Sequence, residues 1–258
     1  MITSEKYFTK ENEIAYMGAT QFKRFLECEE MALAMIYGEW QEEISTALLV
    51  GSYVDAHFEG TLDLFKAKNP EIFMKSGGLK AEYRQAEIII QYCERSERYA
   101  KYMSGQKQVI MTGEIEGVLF KIKIDSYHPD VAIVDQKVMR DFKPIWVDGK
   151  GKIPFVESWG YDIQAAIYQE IERQNRGTSA EPLPFFIAGA TKQSVPRLKI
   201  ISIPQDRIDY CMTIVRENAP RFAGLKQGIG IPTRCNECDY CASTESETEL
   251  VDYRELAT

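Results

Sequence analysis

The segment Gly117–Val138, GVLFKIKIDSYHPDVAIVDQKV, constrains this chain more than any other. It reads as a strand, a turn at His128-Pro129-Asp130, and a second, apolar strand. Asp125 and Asp135 lie ten positions apart. A turn centred near Asp130 would set them opposite each other in an antiparallel pair, with Cβ atoms roughly 5 Å apart on one face. Side chains alternate along a strand, so Lys137 shares that face with Asp135. Two carboxylates and an ammonium on one patch suit a divalent-metal site with a cation beside it, a combination fitted to hydrolysis at a phosphate.

The rest of the chain frames this pair with helices. Thr20 is positioned to cap a helix bearing Phe22, Phe25, Leu26, Leu33 and Ile36. A second helix is expected from near Ser45, with Leu49, Tyr53 and His57 four apart on one stripe. Ser76-Gly77-Gly78 breaks the chain before a third helix over about 80–103. Strands are expected at 109–111, 118–126 and 131–138, then a loop over 140–158 broken by Pro144, Gly149, Gly151 and Pro154. A helix from Tyr161 to Gln174, strands near 184–190 and 197–203, and a helix over 205–227 complete the pattern. Central strands with helices on both sides predict an α/β (α+β) fold with a mixed sheet. One domain over 1–242 accommodates it, with a helical part at 18–103, a core at 107–203, a C-terminal helix and cysteine motif at 205–241, and an acidic tail at 243–258.

Composition excludes little, but it sets a compartment. With 45% hydrophobic and 27% charged residues, the chain is an ordinary globular sequence. It lacks an apolar run of membrane-spanning length and a signal-peptide pattern, so a cytoplasmic protein with no membrane partner is expected. The net charge of −8 argues mildly against nucleic acid. That average conceals a local basic run of Lys137, Arg140, Lys143, Lys150 and Lys152, opposed within 137–152 by Asp141 and Asp148. The run could follow a phosphate backbone, or be a solvated loop.

D-x-K is a weak motif, and the chain holds three: at Asp135, Asp141 and Asp148. Only the first ends an apolar strand and has a carboxylate on the preceding strand. The ordinary alternative is an exposed strand-end ion pair worth under ~1 kcal/mol. Gln164 and Tyr168 lie four apart on a predicted helix and share a face, offering donors to a water or phosphate oxygen. His57 in GSYVDAHFEG taken alone is most simply a structural histidine, and His128 a turn residue.

The order G-x5-H, Asp, D-x-K, Q-x3-Y resembles the RecB-type branch of the PD-(D/E)XK nuclease superfamily, from about Ala15 to Cys241. MGATQFKRFLECEE resembles the opening helix of that branch. Within it, phage-type RecE-like exonucleases look closest. The resemblance implies a restriction-endonuclease-like core and an exonuclease acting on linear double-stranded DNA ends, in phage-type recombination or end processing. It implies metal binding by His57, Asp125 and Asp135, with the Gln136 carbonyl as a further ligand, and Mg²⁺ or Mn²⁺ as the ion. Lys137 takes the place of the catalytic lysine, and Gln164 and Tyr168 that of the helix over the site. Asp135 stands where Glu is commoner, which the family allows. A single-strand annealing protein and a homo-oligomer are the implied partners. A nuclease fold kept as an inactive DNA-binding or assembly module is the rival reading. A zinc-ribbon-like interaction protein would leave the stretch from His57 to Tyr168 unexplained.

Six cysteines are present, and Cys235, Cys238 and Cys241 follow one another at two-residue spacings. Such spacing in a cytoplasmic chain points to metal rather than disulfides. Three thiolates leave a site one ligand short, and Cys28 is the natural fourth. Relatives in the RecB branch clamp a four-iron four-sulfur (4Fe-4S) cluster with one early and three late cysteines, although they usually space the last two more widely. The resemblance therefore implies iron–sulfur, while four thiolates suit a tetrahedral zinc equally. Cys93 and Cys211 read as small core hydrophobes.

Overall fold

The computed structural model describes residues 2–43, 45–147, 149–177, 179–246, 250, 252 and 254. Most of the acidic tail, and Asp148 of the third D-x-K, lie outside them. Three helices open the chain: α1 (Lys10–Ala15), α2 (Ala19–Glu27) and α3 (Glu29–Tyr37). Next come α4 (Thr46–Glu59), α5 (Leu62–Lys68), α6 (Ala81–Arg95) and α7 (Glu97–Tyr102). The strands β1 (Gln106–Ile115), β2 (Val118–His128) and β3 (Ala132–Met139) follow. A small hairpin, β4 (Ile145–Val147) and β5 (Gly151–Ile153), and the turn of helix α8 (Phe155–Ser158) lead to α9 (Tyr161–Arg176). The chain then forms β6 (Phe185–Thr191), β7 (Leu198–Ser202), α10 (Gln205–Lys226) and α11 (Asp239–Ser243).

The five main strands form one mixed sheet in the order β1-β2-β3-β6-β7. Only β3 and β6 run parallel, and α9 makes the crossover that a parallel pair requires. One face of the sheet presents Phe120, Ile122, Ile133, Phe185 and Ile187 to a core closed by α2, α9 and α10. The other presents Val134, Ala188 and Ala190 to a second core under α4, α6 and α7. Helices cover both faces, and the α/β expectation holds.

Local differences from the sequence reading have local causes. The helix expected to run on from Thr20 breaks at Cys28, whose extended backbone (φ −160°, ψ 114°) ends α2 and caps α3. Gly18, not Thr20, occupies the cap of α2. The helix expected over 80–103 breaks at Ser96, whose hydroxyl accepts from the Tyr99 N–H at 3.3 Å and starts α7. The segment 140–158 is not wholly loop, since β4 and β5 pair across Gly149 and Lys150. Pro220 lies within α10 without ending it. Cys93 and Cys211 are fully buried in the two cores.

Candidate active site

The turn at the end of β2 sets the register that builds the site. Val131 N–H bonds the His128 carbonyl at 3.0 Å, and Asp130 adopts φ 58°, a left-handed conformation that Asp tolerates. Ser126 then pairs with Val134 and Tyr127 with Ile133. One step further along the same register lies Asp125 opposite Asp135, as the ten-residue spacing predicted. The ladder stops before that step. Instead the Gln136 N–H donates to Asp125 Oδ2 at 2.8 Å, so a side chain takes the place of a backbone acceptor.

The β1–β2 ladder also omits Asp125 and its neighbour Gln108, which has φ 53°. Gln108 Nε2 donates to Asp125 Oδ1 at 3.1 Å. Inward-facing residues on β2 run Phe120, Ile122, Ile124 and then Tyr127, so the two-residue alternation slips at Asp125. Irregularities of this kind re-aim a side chain beside a site.

Asp135, on β3, is buried and held on two sides. Gln164 Nε2 of α9 donates to its Oδ1 at 2.7 Å. Lys137 Nζ approaches its Oδ2 at 2.5 Å. Gln136 points to the opposite face, where its amide donates to the Tyr99 hydroxyl at 3.0 Å, and that hydroxyl donates to the Ala188 carbonyl at 3.1 Å. This buried chain fixes the strand between the two functional side chains. The N–H and C=O of a strand residue point the same way, so the Gln136 carbonyl also faces the opened ladder beside Asp125.

Electrostatics mark the cluster as frustrated. Burial, and then Asp135, push the Asp125 carboxyl up to about 7, against the pull of Lys137, the Gln136 N–H and Gln108. Burial alone would lower Lys137, but Asp135 and Asp125 outweigh it and raise its pKa, so the ammonium stays charged. A further carboxylate joins them. Asp55 of α4 is driven well above the ordinary carboxylate range by burial and by Asp125 and Asp135, with Lys137 opposing. Its Oδ1 is buried without a hydrogen-bond partner.

His57 is not brought to this cluster. Two helical residues apart means about 200° around the axis, so Asp55 and His57 point to opposite sides of α4. The stripe shared by Tyr53 and His57 packs on α6 instead. The Tyr53 hydroxyl donates to Glu87, and His57 Nε2 lies 2.8 Å from Glu94 Oε1 near the surface. The structure does not bring His57 to the place expected of a metal ligand, whereas Asp55, in the same GSYVDAHFEG segment, does reach the cluster. The missed signal was Asp55 with Glu59, one turn apart on the other stripe.

Tyr168 lies behind the cluster, and its hydroxyl donates to the Lys123 carbonyl at 3.1 Å, steadying β2. Sequence reasoning also missed Lys23 and Tyr161. Lys23 Nζ and Lys137 Nζ each stand 5.4 Å from the Tyr161 ring centre, and Lys23 donates to the Trp159 carbonyl at 3.0 Å. Burial, and then Lys137, lower Lys23 to about 8.

The cluster opens into a cleft of about 1260 Å³ that Asp55, Gln136, Lys137, Arg140, Lys143 and Tyr161 help to line. Arg140 and Lys143 thus border the site. Lys150 and Lys152 sit out on the β4–β5 hairpin, with Lys152 paired opposite Trp146, and do not line it. At its far end the cleft reaches Cys238 and Tyr240.

A divalent cation fits this donor set. Asp55, Asp125 and Asp135 offer hard carboxylate oxygens, and an orphaned buried oxygen on Asp55 lacks any donor. Among the described residues, the side chains whose ligand atoms already converge on one point are Cys28, Cys235, Cys238 and Cys241, not these carboxylates.

A family model described as a PDDEXK-like domain of unknown function (DUF3799) matches residues 18–244. The crystal structure of a candidate exonuclease from Eubacterium rectale is 48% identical, with a TM-score of 0.92 over 99% of this chain and 98% of that one. A crystal structure of SSO0001 aligns at 14% identity over 88% of this chain and 97% of that one, and its TM-score of 0.29 carries no weight. Among curated proteins no sequence matches the chain.

Proposed function

Because the chain belongs to the PDDEXK-like family DUF3799, we propose that it is a divalent-metal-dependent deoxyribonuclease that hydrolyses phosphodiester bonds from DNA ends. The observation that carries this reading is the meeting of Asp55, Asp125 and Asp135 around Lys137 at the head of an open cleft. A strand-end ion pair at the surface would not be buried, nor would it raise two carboxyls above their ordinary range.

Asp55, Asp125 and Asp135 would hold Mg²⁺ or Mn²⁺, with the Gln136 carbonyl as a further oxygen. When bound, the cation supplies Lewis-acid stabilisation of the phosphate and a lowered pKa for water. An all-oxygen set removes the preference for Mn²⁺ that a histidine would have given. In the reaction a water oxygen attacks phosphorus, the bond from phosphorus to the leaving sugar oxygen breaks, and that oxygen ends protonated. Without a cation, Asp135 and Asp125 keep Lys137 charged, and its ammonium is placed to donate to the attacking water or a phosphate oxygen. Gln164 fixes Asp135. Arg140 and Lys143 would meet the phosphates beyond the scissile one, and Lys150 and Lys152 more distant duplex.

The reading extends to the RecE-like exonucleases of phage-type recombination or end processing. Resection would supply single strands to an annealing protein, and a closed homo-oligomer around the duplex would favour processivity. The test is digestion of end-labelled linear and closed circular duplexes with Mg²⁺ or Mn²⁺. Linear DNA should shorten, circles should persist, EDTA should stop the reaction, and Lys137→Ala should abolish it with the fold intact. Wild-type cleavage by Lys137→Ala would remove the mechanism.

A further inference from the structure

The likeness to RecB-branch nucleases implies a four-iron four-sulfur cluster on Cys28, Cys235, Cys238 and Cys241, and the positions of the four sulfurs do not suit one. Cys28 Sγ lies 3.7 Å from Cys241 Sγ, and Cys235 Sγ lies 3.8 Å from Cys241 Sγ. All four sulfurs fall within 4.8 Å of one another. Four thiolates about 2.3 Å from a single ion in a tetrahedron stand about 3.8 Å apart, the bond length multiplied by √(8/3). In a four-iron cluster each thiolate binds a different iron and projects outward from a corner of the cube, so the sulfurs stand roughly 6 Å apart. The observed spacing is the tetrahedral edge, not the larger one.

We propose that this chain holds one zinc ion on Cys28, Cys235, Cys238 and Cys241 and carries no iron–sulfur cluster. The backbone around the cysteines is built for that smaller site. Asn236 turns through φ 61°, which brings the N–H groups of Glu237 and Cys238 to within 3.5 Å and 3.3 Å of Cys235 Sγ. Donors to sulfur spread the charge of a thiolate, which four sulfurs around one divalent ion need. Cys238 then caps α11, and Cys241 follows inside it one turn later, on the same side. This tight C-x2-C-x2-C path draws three sulfurs to one point, where the wider spacing of the iron–sulfur relatives would let them spread.

The fourth sulfur comes from the break between α2 and α3. The extended conformation of Cys28 separates the two helices there. Contacts on either side hold the C-terminal segment to that break. Arg221 forms a two-pronged pair with Glu29 at 2.6 and 2.7 Å, and the Thr233 N–H donates to the same carboxylate at 2.7 Å. Arg234 pairs with Glu30 at 2.7 Å. The thiolates are soft ligands in a closed tetrahedral set, which selects zinc over the hard cations of the carboxylate site and, by the usual order of affinities, over a single ferrous ion.

Metal analysis and an absorption spectrum of the full chain, purified once in air and once anaerobically, test the assignment. Both preparations should be colourless with one zinc per chain. Cobalt exchanged into the same protein should give the intense visible bands of a tetrahedral thiolate site. Cys241→Ser should lower zinc binding, and because that variant could fail to fold, the cobalt spectrum of the unaltered protein is the deciding measurement. Four irons per chain with broad brown absorption in the anaerobic preparation would overturn the proposal. So would a single iron in place of zinc, or a cobalt spectrum of octahedral type.

Discussion

Replacing Asp125 with asparagine should stabilise the metal-free protein at alkaline pH while destroying its response to divalent cations. In the folded protein this carboxyl is pushed from an ordinary 3.8 up to about 7, by burial first and Asp135 next. A folded pKa above the unfolded one means that the group's contribution is fully present below about pH 4 and is lost as pH rises through about 7. Each unit corresponds to about 1.4 kcal/mol, so keeping Asp125 ionised costs about 1–3 kcal/mol at pH 8 once solvent screening of a partly exposed group is allowed for. Asp125→Asn removes that cost and keeps the acceptor for the Gln136 N–H. Gln108 Oε1 has no partner, so a flip of the Gln108 amide would meet the new NH₂ group.

Thermal melts without divalent cations should therefore show little difference between variant and wild type near pH 4, and a difference that grows as pH rises toward 7. Near pH 8 the variant should melt higher by about 2–12 °C, given the 2–4 °C per kcal/mol usual at this chain length. Added Mn²⁺ should raise the melting temperature of the wild type alone. Calorimetric titration with Mn²⁺ should show affinity falling about tenfold per pH unit below about 7 from Asp125 alone, because proton and cation compete for the same oxygen. Asp55, also raised, should steepen that slope. Affinity independent of pH between about 5.5 and 8, or a variant that melts lower than wild type near pH 8, would refute the reasoning.

Four further substitutions separate the site from its scaffold. Asp55→Asn should reduce cleavage by at least ~100-fold in the assay that tests Lys137→Ala, while His57→Ala should leave it within about twofold, because the exposed His57–Glu94 pair is worth under ~1 kcal/mol; the reverse order in initial rates would return His57 to the site. Tyr99→Phe leaves the Gln136 amide and the Ala188 carbonyl without their buried partner, and should cost about 1–3 kcal/mol in denaturant melts. Glu29→Ala removes the partner of Arg221 and Thr233, and should lower the melting temperature while sparing catalysis in the remaining folded protein.

The site was legible wherever its signal was local. Asp125, Asp135 and Lys137 follow from strand alternation and one turn, because hairpin register is set by the residues between the strands. Gln164 was singled out by helical spacing as a donor to a water or phosphate oxygen, and in the structure its amide donates to Asp135 instead. Asp55 was hidden because α4 carries two plausible stripes, and only packing selects between them. Tyr53 and His57 took the stripe against α6, which left Asp55 for β3. Lys23 was equally silent, being close to Tyr161 in space and far from it along the chain.

The sequence by itself determined the mixed sheet, the carboxylate pair with its lysine, and the three late cysteines as ligands in want of a fourth, since each rests on short-range periodicity or spacing. Tertiary structure alone decided which face of α4 meets the carboxylates, that both ladders open at Asp125, and how far apart the four sulfurs stand. Those are distances between segments far apart in the chain, fixed by packing of the two cores, and no local pattern encodes them.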